Sequence, residues 1–329
     1  MNKLRLSVAI GNYDRVRPLA DGEVRMDGVD PVFMFLDPEE IFFRAFRGAE
    51  FDICELSLSS FSVKTAAGDN PYVGVPVFPS RTFRHTAIYV RTDRVKSPED
   101  LRGKRLGTPE WQLTACVWAR ALLADDCGVQ PSEISWVRAG LEQPGRVEKI
   151  ALNLPPDIRI EDADPRKTLN QMLRDGEIDG LIAPRAPSCF VQGAPHIGYL
   201  FPDTVAAASE YFRRTGIFPI MHVLGIRRQL VEENPWLPMA ALKAFTESKD
   251  LARRRLADPA ASKVTLPFVE EAVHRARALL GEDWWPYGLA PNAKQLEVFL
   301  GHHHAQGLSA RHLRPEDLFH PSTAESFRI

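Results

Sequence analysis

The chain has 329 residues, 44% of them hydrophobic and 26% charged, with a formal net charge of −2. This is the composition of a globular protein long enough for two domains. The near-neutral balance leaves no global field to attract nucleic acid or an anionic membrane, so neither is expected as a partner.

From the N-terminus, Met1-Asn2-Lys3 runs straight into Leu4-Arg5-Leu6-Ser7-Val8-Ala9-Ile10, which reads as a buried first strand rather than an export signal. No run approaches the ~20 continuous apolar residues of a membrane span. The four cysteines, Cys54, Cys116, Cys127 and Cys189, form no CxxC pair. They read as free thiols in a reducing compartment, and a cytoplasmic location is expected.

Strands are expected at 4–10, 31–36, 51–56 and 73–78, then at 86–91, 105–108, 134–138, 178–183 and 197–201. Helices alternate with them, which predicts parallel sheets of α/β type. Asp37-Pro38-Glu39-Glu40 supplies an N-cap, a first-turn proline and acidic residues, and Gly48 is the expected stop. Ser97-Pro98 and Asp164-Pro165 read as two further helix starts, with Gly128 and Gly176 as C-terminal stops. Beyond residue 230 the pattern is helical, near 235–256, 267–280 and 292–305.

Two internal echoes stand out. Arg47-Gly48-Ala49-Glu50-Phe51-Asp52-Ile53 matches Arg174-Asp175-Gly176-Glu177-Ile178-Asp179-Gly180 as a helix end followed by Glu, an apolar residue and Asp entering a strand. More weakly, His85 and His222 each precede an apolar strand. Doubled junctions of this kind suggest two α/β lobes joined by two crossing segments.

The chain resembles the 4,5-dihydroxyphthalate decarboxylase family, on the two-lobed periplasmic-binding-protein fold of the second type. The resemblance rests on Gly11-Asn12-Tyr13-Asp14-Arg15, Phe78-Pro79-Ser80-Arg81-Thr82-Phe83-Arg84-His85 and Leu101-Arg102-Gly103-Lys104-Arg105-Leu106-Gly107. Trp285-Pro286-Tyr287-Gly288, Gln306-Gly307-Leu308 and Asp317-Leu318-Phe319 extend it to the C-terminal region. It implies a first lobe of residues 1–82 and 220–329, a second lobe of 83–219, and a ligand cleft between them. It also implies non-oxidative loss of CO2 from a hydroxylated phthalate.

Such a reaction needs cations for two carboxylates, a proton donor at the ring carbon and an acceptor for the para hydroxyl. No organic cofactor is required, and assistance by a divalent metal is left open. The implied catalytic residues are His85, His222 and Glu110. His has the right proton affinity to donate near neutral pH. Substrate contacts are expected from Arg15, Arg81, Arg84 and Arg185 as bidentate carboxylate anchors, from Tyr13 and Trp111 against the ring, and from Ser57, Ser59 and Thr114 at helix starts. For several of these the plain alternative carries similar weight: Trp111 as core, the serines as helix caps, and Arg84 or His85 as hinge contacts.

His302-His303-His304 is consecutive on a helix, so its rings point apart and no metal site is expected there. Phosphate-binding Gly loops, GxSxG and HExxH are absent. A non-catalytic solute-binding protein for an organic anion is the main alternative, but it needs no proton donor at the hinge. A thiamine-precursor synthase of the same broad fold would want a Cys/His-rich stretch that is missing here. The long C-terminal helices are compatible with a homo-oligomer.

Overall fold

The computed structural model describes residues 3–324, apart from 147, 149, 151, 153 and 261. The described strands are β1 (Leu4–Ile10), β2 (Val29–Phe35), β3 (Ile53–Ser57), β4 (Tyr72–Val75), β5 (Ile88–Arg91), β6 (Arg105–Thr108), β7 (Ser135–Arg138), β8 (Arg159–Asp162), β9 (Gly180–Ile182), β10 (Ile197–Tyr199) and β11 (His222–Arg227). The chain divides into two compact units. One gathers the described residues of Met1–Arg81, Ile220–Glu297 and Arg314–Ile329, the other Thr82–Pro219 and Val298–Leu313.

The first unit is built on a five-stranded sheet in the order β2-β1-β3-β11-β4. β1 runs parallel to β2 and β3, whereas β11 lies antiparallel between β3 and β4. The sheet is therefore mixed rather than parallel. Its centre is wholly apolar apart from one residue: Val8, Ala9, Ile10, Ile53, Cys54, Val223, Leu224 and Ile226 are buried, and so is Glu55. The expected helix after β2 spans Pro38–Gly48, where the Asp37 side chain accepts from the Glu39 N–H at 2.9 Å. Gly48 is its last helical residue. The left-handed stop is taken by Ala49 at φ 47°, one position later than expected.

The second unit carries a six-stranded sheet, β10-β5-β9-β6-β7-β8. β6 is parallel to β7 and β9, while β5 runs antiparallel to β9 and β10. In each unit the strand that follows the 80–85 or 219–222 junction is the antiparallel one. The turn at Asp164-Pro165 does not start a helix: Asp164 pairs with Arg166, and the helix begins at Leu169 under a Thr168–Gln171 capping box. Ser97-Pro98 opens only a single 3-10 turn, Pro98–Leu101.

The first echo has a structural meaning. Asp52 accepts from the Ser7 N–H of β1 at 2.8 Å and pairs with Arg227 of β11. Asp179 likewise accepts from the Arg105 N–H of β6 at 3.1 Å and pairs with Arg94. Each Asp fastens a strand entry to its neighbour.

Residues 298–313, expected in the first lobe, belong to the second unit. Phe299 packs on Trp118 with centroids 5.3 Å apart, and Gln306 Oε1 accepts from Arg120 Nε at 2.7 Å. Arg120 is itself buried, with its guanidinium 3.7 Å from the Trp111 ring centroid. A buried charge deprived of a hydrogen-bond partner is costly. Gln306→Ala should therefore destabilise the second unit by about 2 kcal/mol in urea unfolding. An unchanged midpoint would show that Arg120 does not depend on this contact.

Candidate active site

In the first unit the buried carboxylate of Glu55 organises its surroundings. Removing an ionised carboxylate from water costs on the order of several kcal/mol unless donors replace the lost hydration. Three donors do so here. Oε2 accepts from the Gly11 N–H at 2.9 Å, Oε1 accepts from the Tyr13 hydroxyl at 2.8 Å, and Oε1 meets His222 Nδ1 at 2.5 Å.

The local chain explains how these donors arrive. β1 ends at Ile10, so Gly11 leaves the sheet beside the middle of β3. Tyr13 folds back over Gly11, where a Cβ would lie 2.5 Å from its ring. Glycine is thus demanded by close approach. His222 opens β11 and pairs in register with Ser57 at the end of β3, with Leu224 opposite Glu55. Phe42, from the helix Pro38–Gly48, packs edge-on against the imidazole at 4.9 Å.

The electrostatics follow from this geometry. Burial alone would raise the Glu55 carboxyl, but His222, the Gly11 N–H and the Tyr13 hydroxyl together hold it below the ordinary carboxylate range. Tyr13 moves the opposite way: burial, then the Glu55 charge and hydrogen bond, push its phenol well above the usual value. Tyr13 is therefore a neutral donor and Glu55 an ionised acceptor. Because a carboxylate only accepts, Nδ1 of His222 carries the hydrogen, and Nε2 is left for proton exchange with a ligand.

Arg15 lies beside this cluster. Its guanidinium stands 4.2 Å from the Tyr13 ring centroid and 4.4 Å from that of Trp285. Nε and Nη2 donate to the Pro79 carbonyl at 2.7 and 2.5 Å, and Nη1 pairs with Asp14 at 3.0 Å. Arg15 thus braces the junction as well as lending it positive charge. Arg81 turns inward instead. Its Nη1 donates to Gln295 at 3.1 Å and its Nη2 to the Pro286 carbonyl at 2.7 Å and to Asn292, and burial lowers it to about 9. Ser57 and Ser59 stand at the start of the helix Leu58–Ala67, Ser59 fully buried.

The second unit holds the remaining expected residues in a different setting. His85 is 3% exposed and packs against Phe201 at 5.0 Å and Tyr211 at 5.5 Å, with Nδ1 buried and unpartnered among the described residues. Burial drives its imidazole down to about 4. It is neutral at pH 7 and ill-suited to act as a cationic proton donor. Arg84 is lowered to about 10 by burial, and Arg185 is exposed at the end of β9. Glu110 is buried, with Arg146 Nη2 2.5 Å and Nε 2.7 Å from its Oε1. Trp111 is core: it is fully buried, its Nε1 donates to the Gln306 carbonyl at 3.0 Å, and it meets Trp136 edge-on at 5.3 Å. Thr114 is the first residue of the helix Thr114–Cys127.

Glu55 is not among the site residues expected from the sequence. Its signal was present, since a Glu inside the otherwise apolar Ile53-Cys54-Glu55-Leu56 must be paired if that strand is central. Among the described residues no group of three or more His, Cys, Asp or Glu could hold a metal ion, and no helix is long and apolar enough to cross a membrane. His302 pairs with Asp125 at 2.7 Å while His304 bonds the Ser309 carbonyl, so these rings do point apart.

No family model matches the chain. It is 58% identical over 330 residues to a 4,5-dihydroxyphthalate decarboxylase of Comamonas testosteroni, covering 100% of both chains. It is 62% identical over 214 residues to a 4,5-dihydroxyphthalate decarboxylase of Pseudomonas putida, covering 65% of this chain and 83% of that one. Among solved structures it resembles the periplasmic aliphatic sulphonate binding protein SsuA of Escherichia coli, with TM-score 0.54, 14% identity and coverage of 98% and 99%. A sulfonate-binding protein of Methylobacillus flagellatus gives TM-score 0.56 at 14% identity, covering 98% and 93%. At that identity the likeness is one of fold, the two-lobed periplasmic-binding-protein-like architecture.

The environment of His85 generates a pH prediction. Its folded value of about 4 lies below the ordinary 6.5, so the unfolded chain takes up a proton first as pH falls. The stability this contributes is complete above pH 6.5 and is lost as pH drops through about 4. His85→Phe, which keeps an aromatic ring between Phe201 and Tyr211, should flatten the fall of urea-unfolding stability across that window. An unaltered slope would show that His85 is not buried in its neutral form.

Proposed function

The chain belongs to the 4,5-dihydroxyphthalate decarboxylase family, and from that premise we propose that it removes CO2 from 4,5-dihydroxyphthalate without oxidation, giving protocatechuate. The observation that carries the mechanistic reading is the Glu55–His222 contact at 2.5 Å, with Tyr13 on the same carboxylate oxygen.

In this substrate each hydroxyl is para to one carboxylate. As the para hydroxyl releases its proton to a base, its oxygen pushes an electron pair through the ring, and the ring carbon bearing the departing carboxylate takes up a proton. That carbon becomes tetrahedral, and the opposite oxygen becomes a carbonyl. The bond to the carboxylate then breaks, CO2 leaves, and the bond's electron pair returns aromaticity to the ring as a phenolate, which is reprotonated. The net change consumes one proton and releases one CO2.

His222 is assigned as the proton donor to the ring carbon. Glu55 fixes its tautomer through Nδ1, presents Nε2 to the substrate and balances the charge of the imidazolium. Tyr13 holds the carboxylate against swinging away. His85, neutral inside its aromatic cage, is given no proton-transfer role. Arg15 contributes positive charge beside the cluster, with Ser57 and Ser59 at an adjacent helix start. The four cysteines are free thiols, which supports a reducing compartment and hence a cytoplasmic reaction.

A solute-binding role is the weaker reading. Binding an anion calls for positive groups, but not for a buried, ionised carboxylate that fixes one tautomer of an imidazole.

His222→Asn should bind 4,5-dihydroxyphthalate with near-parental affinity by calorimetry while CO2 release falls about 10²–10⁴-fold. Parental turnover in His222→Asn would remove this residue from the mechanism. Tight binding of the substrate by the parent protein without CO2 release would favour the solute-binding reading.

A further inference from the structure

The segment Trp285-Pro286-Tyr287-Gly288 is pinned on both sides of one tyrosine. Trp285 Nε1 donates to the Phe78 carbonyl at 2.9 Å, and its ring stacks on Arg15. The Pro286 carbonyl accepts from Arg81 at 2.7 Å. The Gly288 N–H donates to the Pro76 carbonyl at 2.7 Å, with Gly288 at φ 90°, a conformation that only glycine adopts readily. Below the tyrosine ring lies Lys249, 3% exposed and clamped by Asp283 at 2.9 Å, with its Nζ 5.4 Å from the ring centroid.

The residues on either side of the tyrosine are thus held in place, whereas its own hydroxyl is not. Tyr287 is 8% exposed, and its hydroxyl is buried with no hydrogen-bond partner among the described residues. A buried donor left unmade is expensive, and native proteins seldom tolerate one without a reason. Its two preceding neighbours set this phenol beside two cations: the Trp285 ring lies 4.4 Å from the Arg15 guanidinium, which also covers Tyr13 of the Glu55–His222 cluster, and the Pro286 carbonyl accepts from Arg81 at 2.7 Å. Burial raises the phenol, so it is a neutral donor at working pH. With Arg15 and Arg81 beside it, the partner that suits such a donor is an anionic oxygen, since hydrogen bonds to charged acceptors are the strong ones.

We propose that Tyr287 is a substrate-binding residue whose hydroxyl donates to a carboxylate of the aromatic dianion. This rests on the decarboxylase reading of the same site. The hydroxyl is kept dry and unpaired so that the bond is made only when substrate arrives, while the strap around it fixes the ring in advance.

The test is Tyr287→Phe, which deletes only the hydroxyl. Three readouts separate the outcomes. In the absence of substrate the melting temperature should stay the same or rise, because an unpaired buried group has been removed. KM for 4,5-dihydroxyphthalate should increase about ten- to hundredfold with kcat nearly unchanged, the pattern of a contact made equally in ground and transition states. Calorimetric affinity for phthalate, which has the carboxylates but neither hydroxyl, should weaken by the same factor.

A lower melting temperature without substrate would overturn the proposal, because it would show that the hydroxyl is a structural contact. Parental KM and parental phthalate affinity would overturn it as well. Weakened binding of dihydroxyphthalate with unaltered phthalate affinity would move the contact to a ring hydroxyl and reject the carboxylate assignment. Phthalate calorimetry stays readable even if the parent releases no CO2, so failure of this inference is distinct from failure of the decarboxylase reading.

Discussion

The candidate site depends on keeping one carboxylate ionised inside an apolar sheet. Glu55 is fully buried in the central strand of the first unit, where neither neighbouring strand has a charge to spare in register with it. Its hydration is replaced by one backbone N–H, one phenol and one imidazole. Such a cluster is fragile by construction, because loss of any donor leaves an under-solvated charge. The surrounding features serve to keep the donors in place: a glycine that lets Tyr13 fold back, Phe42 against the imidazole, and Arg15 held between Tyr13 and Trp285.

The same constraint separates the two histidines that the sequence presented as equivalents. Both stand just before an apolar strand at corresponding junctions. One meets a carboxylate, and the other meets Phe201 and Tyr211. The first imidazole is held by a hydrogen bond to an ionised acceptor, whereas burial among aromatic rings drives the second toward its neutral form. Chemical identity and local sequence are shared; what differs is the company supplied by residues far away in the chain.

That difference marks what could be read in advance. The helix start at Asp37-Pro38, most strands of each series and the doubled Glu–x–Asp junction were legible, because capping and strand entry are settled by neighbours a few residues apart; the edge strand β8, Arg159–Asp162, was not expected. The cage around His85 is built from residues more than a hundred positions later, and the partners of Arg81 come from residues 286–295. No local pattern announces either. Glu55 was visible as a charge within an apolar strand, but its meaning needed β11, which lies over 160 residues away in the chain, to be laid beside β3. The parallel-sheet expectation failed for a related reason, since the direction of a strand after a long crossing segment is set by tertiary pairing.

The measurement that bears most directly on the account is a double-mutant cycle between Glu55 and His222, read as CO2 release under saturating 4,5-dihydroxyphthalate. If the carboxylate acts only by setting the tautomer and charge of the imidazole, Glu55→Gln, His222→Asn and the double variant should have similar residual rates, because residues that work as a unit lose their effect once. Losses that multiply in the double variant would mean that Glu55 and His222 act independently, and would contradict the account.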